Sequence, residues 1–74
     1  MNTDTFHALL NILEEKVDFD YVESEGADTA RFDIGDNSMW IYQSGEIEGL
    51  ATMPKVVWHA VSNSFEELDI PFVI

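Results

Sequence analysis

The chain has 74 residues, 46% of them hydrophobic, including five Phe, two Trp and two Tyr, and its fifteen acidic against three basic residues give a formal net charge of −12. That apolar content exceeds what disordered acidic tails carry, so 1–74 is expected to fold as a single domain, with one core supplying only about 3–5 kcal/mol. The charge repels phosphates and anionic lipid, which argues against direct nucleic acid or membrane binding, and the lack of cysteine removes disulfides and thiolate metal sites.

The opening MNTDTFHALL has neither the basic n-region nor the long apolar core of a signal peptide, and a cytoplasmic location is the expectation. Phe6, Leu9, Leu10, Leu13 and Val17 recur every three or four residues, which predicts a helix over 5–17. Thr3 or Asp4 suits its N-cap, and Lys16 complements the dipole at its other end. Ile12 widens the apolar stripe, while Glu14 and Glu15 face water.

From Asp18 the period falls to two. A first strand is predicted over 18–23, with Phe19 and Tyr21 on one face and Asp20 and Val22 on the other, followed by the turn-rich SEGAD. Ala30, Phe32 and Ile34 alternate with Arg31 and Asp33 as in a half-buried strand. After a turn at Gly35-Asp36-Asn37, the run 38–43 is apolar on both faces, with Met39 and Ile41 on one and Trp40 and Tyr42 on the other. Ser44-Gly45 closes a hairpin onto a fourth strand over 46–50. A second helix is predicted with Thr52 as N-cap and Met53 and Pro54 in its first turn. Val57, Trp58, Val61, Phe65 and Leu68 form its buried stripe. Pro71 ends helical structure, and Phe72-Val73-Ile74 is apolar enough to dock as a tail or a short edge strand. The expected fold is α+β: an N-terminal helix, three or four antiparallel strands, a second helix and a short tail, with both helices on one face of the sheet.

The acidity is concentrated. Nine acidic residues lie between Asp18 and Glu48 (Asp18, Asp20, Glu23, Glu25, Asp28, Asp33, Asp36, Glu46 and Glu48), and Arg31 is the one base among them. Like charges on facing strands cost about 0.2–1 kcal/mol per pair, a burden that a partner of opposite charge would relieve. Their mutual repulsion is expected to raise several carboxyl pKa values. Asp18, Asp20 and Glu23 invite a calcium site, but the EF-hand spacing of acids around a central glycine is absent. His7 and His59 sit beside the apolar stripes with no nucleophile at a catalytic spacing, and the four glycines stand singly, so neither an enzymatic centre nor a cofactor loop is indicated.

Trp40 and Tyr42 alternate onto the face expected to carry Asp20, Asp33, Glu46 and Glu48. There they form an aromatic anchor inside an anionic rim, suited to Arg and Lys. The alternative is that both rings pack beneath the second helix. Carboxylates at i and i+2 repeat about every 6.8 Å along a strand, a charge density comparable to a nucleic acid backbone.

In size, lack of cysteine, acidic balance and α+β order, the whole chain resembles the small DNA-mimic inhibitors that bacteriophages direct against host defence. These include anti-CRISPR and anti-restriction proteins and uracil-glycosylase inhibitors. Because those proteins share no common motif, the resemblance assigns no residue a role. It implies a stoichiometric inhibitor that occupies a basic, nucleic-acid-binding protein surface. Two alternatives stand beside it: an adaptor or immunity-type protein capping a basic partner, and acidity that serves solubility alone. The two-faced strand 38–43 also admits a homodimer.

Overall fold

A computed structural model describes residues 1–72. Its elements run α1 (Thr3–Lys16), β1 (Tyr21–Ser24), β2 (Thr29–Ile34), β3 (Asn37–Tyr42), β4 (Ile47–Glu48), a 3-10 turn (Leu50–Thr52) and α2 (Lys55–Glu67). The strands form one antiparallel sheet in chain order, β1-β2-β3-β4. Both helices cover the same face of it, giving the expected α+β architecture.

Pattern explains the core. Phe6, Leu9 and Leu13 come from α1, and Val57, Ala60, Val61 and Phe65 from α2. They close on Ala30 and Phe32 of β2 and on Met39 and Ile41 of β3, all at 6% exposure or less. Leu10, Trp58 and Leu68 are only partly buried at its border. Ser64 is the one buried polar side chain among the described residues, and its Oγ donates to the Ala60 carbonyl at 2.6 Å, so its hydroxyl is satisfied within the helix. Lys16 Nζ meets Glu67 Oε1 at 2.9 Å and ties together the C-terminal ends of the two helices, at an exposed position where such a pair contributes about 0–1 kcal/mol.

Several boundaries differ from the sequence expectations, each for a local reason. Asn2, not Thr3 or Asp4, caps α1, its Oδ1 accepting from the Thr5 amide at 2.7 Å. The polar first turn had no apolar period to reveal it. The first strand begins at Tyr21 instead of residue 18, and Phe19 and Tyr21 do not share a face. Asp20 turns its carboxylate to the Gly35 amide at 2.7 Å, ahead of the regular ladder. Phe19 then stacks on Phe32 with ring centroids 4.9 Å apart, while Tyr21, 48% exposed, points to the opposite side.

The fourth strand is only Ile47–Glu48, because Gly49 leaves the extended region at φ 81°. A Cβ there would lie 2.3 Å from the Ser38 carbonyl oxygen, so glycine allows the chain to cross close over β3. The second helix starts at Lys55 with Pro54 as its cap residue, not at Thr52. A residue before proline is driven out of the helical region, and Met53 is accordingly extended at φ −80°, ψ 153°. Phe72 packs edge-on against Phe65 at 5.4 Å, whereas Val73 and Ile74, also assigned to the docked tail, lie outside the described residues.

Candidate functional site on the outer face of the sheet

The register sets which side chains share the uncovered face. Glu23, Arg31, Trp40 and Glu48 form one cross-strand row. Tyr21, Asp33 and Ser38 form the row on one side of it, and Thr29 and Tyr42 the row on the other. Glu25 and Glu46 extend that last row at the two edges: the Glu25 amide donates to the Thr29 carbonyl at 2.8 Å, and the Tyr42 amide to the Glu46 carbonyl at 3.0 Å. The face is therefore a ridge of aromatic and paired polar groups along β2 and β3, framed by two glutamates on each edge.

Trp40 and Tyr42 stand opposite in sense to the fully buried Met39 and Ile41, so they do not pack beneath α2. Both are half-buried by neighbours on the face itself. The Gln43 amide donates to the Asp28 carbonyl at 2.8 Å, which sets the phase of the β2–β3 ladder and leaves Arg31 and Trp40 as a non-hydrogen-bonded pair, where facing side chains come closest. The Arg31 guanidinium lies 5.8 Å from the Trp40 ring centroid, and its Nε donates to Asp33 Oδ1 at 3.0 Å. The Tyr42 hydroxyl donates to Glu48 Oε1 at 3.0 Å, joining β3 to the edge.

These contacts shape the titration of the face. The Ser38 hydroxyl, on the cross-strand partner residue, and the Arg31 guanidinium hold the Asp33 carboxyl below its ordinary range. Repulsion among the acids was expected to raise carboxyl pKa values; at Asp33 the two donors outweigh the cost of burial and the shift runs the other way. Two tyrosines register the surrounding field instead. Tyr42 is raised first by its bond to Glu48, with the charges of Glu25 and Glu46 adding to it, and Tyr21 is raised chiefly by the charge of Glu23. Arg31 is raised by Asp33 first, with further support from Glu25 and Glu23.

Of the acids singled out in the sequence, Glu23, Glu25, Asp33, Glu46 and Glu48 come together on this face with Trp40 and Tyr42. Asp20, expected in the rim, does not belong to it, since its carboxylate holds the β2–β3 turn through Gly35. Asp36 lies in that same turn, and Asp28 in the β1–β2 loop beside the Thr29 hydroxyl at 3.3 Å. Asp18 lines a recess of about 140 Å³ with Glu14, Val17, Phe19 and Val22, between α1 and the start of β1. Arg31 faces outward beside Asp33, as its alternation with Phe32 implied. Tyr21 and Ser38 also belong to the face and were not assigned to it from sequence: Ser38 could have been found from its alternation with Met39, but Tyr21 was misassigned with Phe19.

Elsewhere, a recess of about 530 Å³ lies between the N-terminus, the β3–β4 turn and the chain after α2, lined by Met1, Thr5, Leu68 and Ile70 among others. His7 and His59 are exposed, one on each helix. Among the described residues no three His, Asp or Glu side chains are grouped to hold a metal ion, and no helix is long and apolar enough to cross a membrane.

No family model, no curated protein and no solved structure matches this chain.

Proposed function

We propose that this chain is a non-enzymatic binding protein whose outer sheet face docks on a basic, nucleic-acid-binding surface of a protein partner, as a DNA mimic does. One observation supports this reading above the others. The uncovered face joins Trp40 and Tyr42 to a frame of Glu23 and Glu25 on one edge and Glu46 and Glu48 on the other. Acidity for solubility alone requires no aromatic ridge at its centre, because partly exposed Trp and Tyr oppose solubility where they do not serve a contact. Aromatic anchors bordered by charge are instead the composition of a binding hot spot, in which the rings hold the complex and the charges speed encounter.

The reading is tested by competition. The immobilised protein is exposed to nuclease-treated bacterial lysate, and the captured proteins are challenged with duplex DNA in rising amounts at constant ionic strength. Mimicry predicts that DNA releases them and that the released proteins bind DNA themselves. Capture indifferent to DNA would instead favour an adaptor that caps a partner basic for other reasons.

A further inference from the structure

We infer that the β3–β4 flank of the outer face is an arginine subsite, in which a guanidinium from the partner stacks on Trp40 and Tyr42 and pairs with Glu46 and Glu48. The inference rests on the docking face proposed above and names the side chain that this face selects. Its internal precedent is Arg31. On the β2 flank of Trp40, the chain's own guanidinium already lies over the indole at 5.8 Å while its Nε bonds the Asp33 carboxylate at 3.0 Å. The opposite flank repeats those ingredients without a base. Glu48 is the cross-strand partner of Trp40, Glu46 stands beside Tyr42 at the end of the same ladder, and both glutamates are exposed.

The Tyr42 hydroxyl donates to one Glu48 oxygen at 3.0 Å and leaves the second oxygen with no hydrogen-bond partner among the described residues. A planar guanidinium suits this arrangement. It is weakly hydrated, it stacks on aromatic faces, and its fork of N–H donors meets carboxylates two at a time, whereas a lysine ammonium is a strongly hydrated point charge that gains little from a ring. Charge disfavours a second copy of the chain as occupant, since two faces framed by glutamates would meet across a chain of formal charge −12.

The test compares fluorescently labelled hexa-arginine and hexa-lysine peptides, titrated against the full chain at equal ionic strength and read by anisotropy. The subsite predicts that the arginine peptide binds about fivefold or more tightly than the lysine peptide, the range expected for a partly desolvated cation–π contact. Trp40→Leu should bring that ratio close to one by weakening the arginine peptide more than the lysine peptide, and Glu46→Gln with Glu48→Gln should weaken both peptides. Proton NMR of the unaltered chain gives a readout that does not depend on how the variants fold: the Trp40 indole N–H resonance should move on adding the arginine peptide, and that of Trp58 should not. Equal affinities for the two peptides, or a Trp40 resonance that stays still at saturation, would overturn the subsite. Either result leaves the DNA competition above free to succeed or fail by itself.

Discussion

Asp33 gives the face a pH dependence whose sign is fixed by its partners. Ser38 and Arg31 lower its folded pKa below the ordinary value of about 3.9, so the stability it contributes is complete above that value and is lost as pH falls through the folded pKa. The stability gap between the unaltered chain and Asp33→Asn should therefore be wider at about pH 6 than at about pH 2.5 in urea melts. A gap independent of pH would mean that Asp33 is not held by these donors in solution. Gly49 carries a different constraint at the scale of one residue. With φ at 81° and the Ser38 carbonyl 2.3 Å from where a Cβ would sit, Gly49→Ala meets both a disfavoured backbone region and a backbone clash. We expect a loss of about 2–3 kcal/mol in denaturant melts, most of the stability of so small a domain, where an exposed turn glycine would lose less.

The strands separate what holds the fold from what faces outward. Phe32 is fully buried in β2 and touches both the sheet and Phe19, so Phe32→Ala should cost about 3–5 kcal/mol and leave largely unfolded protein. Trp40, on the neighbouring strand but on the other face, should tolerate Trp40→Ala with a far smaller fall in melting temperature, as followed by far-UV circular dichroism. Equal losses for the two would contradict the register.

That register was legible in the alternation of Ala30, Phe32 and Ile34 and of Met39 and Ile41, because a strand with one covered face has a strict period of two. The helices were legible from Phe6, Leu9 and Leu13 and from Val57, Val61 and Phe65 for the same reason at a period of 3.6. Where tertiary contacts override pattern, the sequence was opaque. Nothing local announces that the Asp20 carboxylate would leave the rim to hold Gly35, or that Phe19 would turn under the sheet while Tyr21 turned out. The extended Met53, by contrast, follows from Pro54 by a rule that could have been applied to the sequence alone.

Across the whole molecule, exposed carboxylates lie both on the helical side and on the outer face of the sheet. Glu14, Glu15, Glu66 and Asp69 are exposed on or beside the helices, and Glu23, Glu25, Glu46 and Glu48 frame the aromatic ridge on the far side. If acidity served solubility alone, the position of four carboxylates would matter little, whereas a docking face is steered by the charges nearest to the contact. The most direct measurement is the association rate with the DNA-displaceable partner, at low salt, for two variants that each remove four negative charges. One carries Glu23→Gln, Glu25→Gln, Glu46→Gln and Glu48→Gln, and the other Glu14→Gln, Glu15→Gln, Glu66→Gln and Asp69→Asn. Docking through the outer face predicts association slowed about tenfold or more in the first and only slightly in the second, with a flatter salt dependence in the first alone. Equal slowing in both variants, or none in the first, would contradict it.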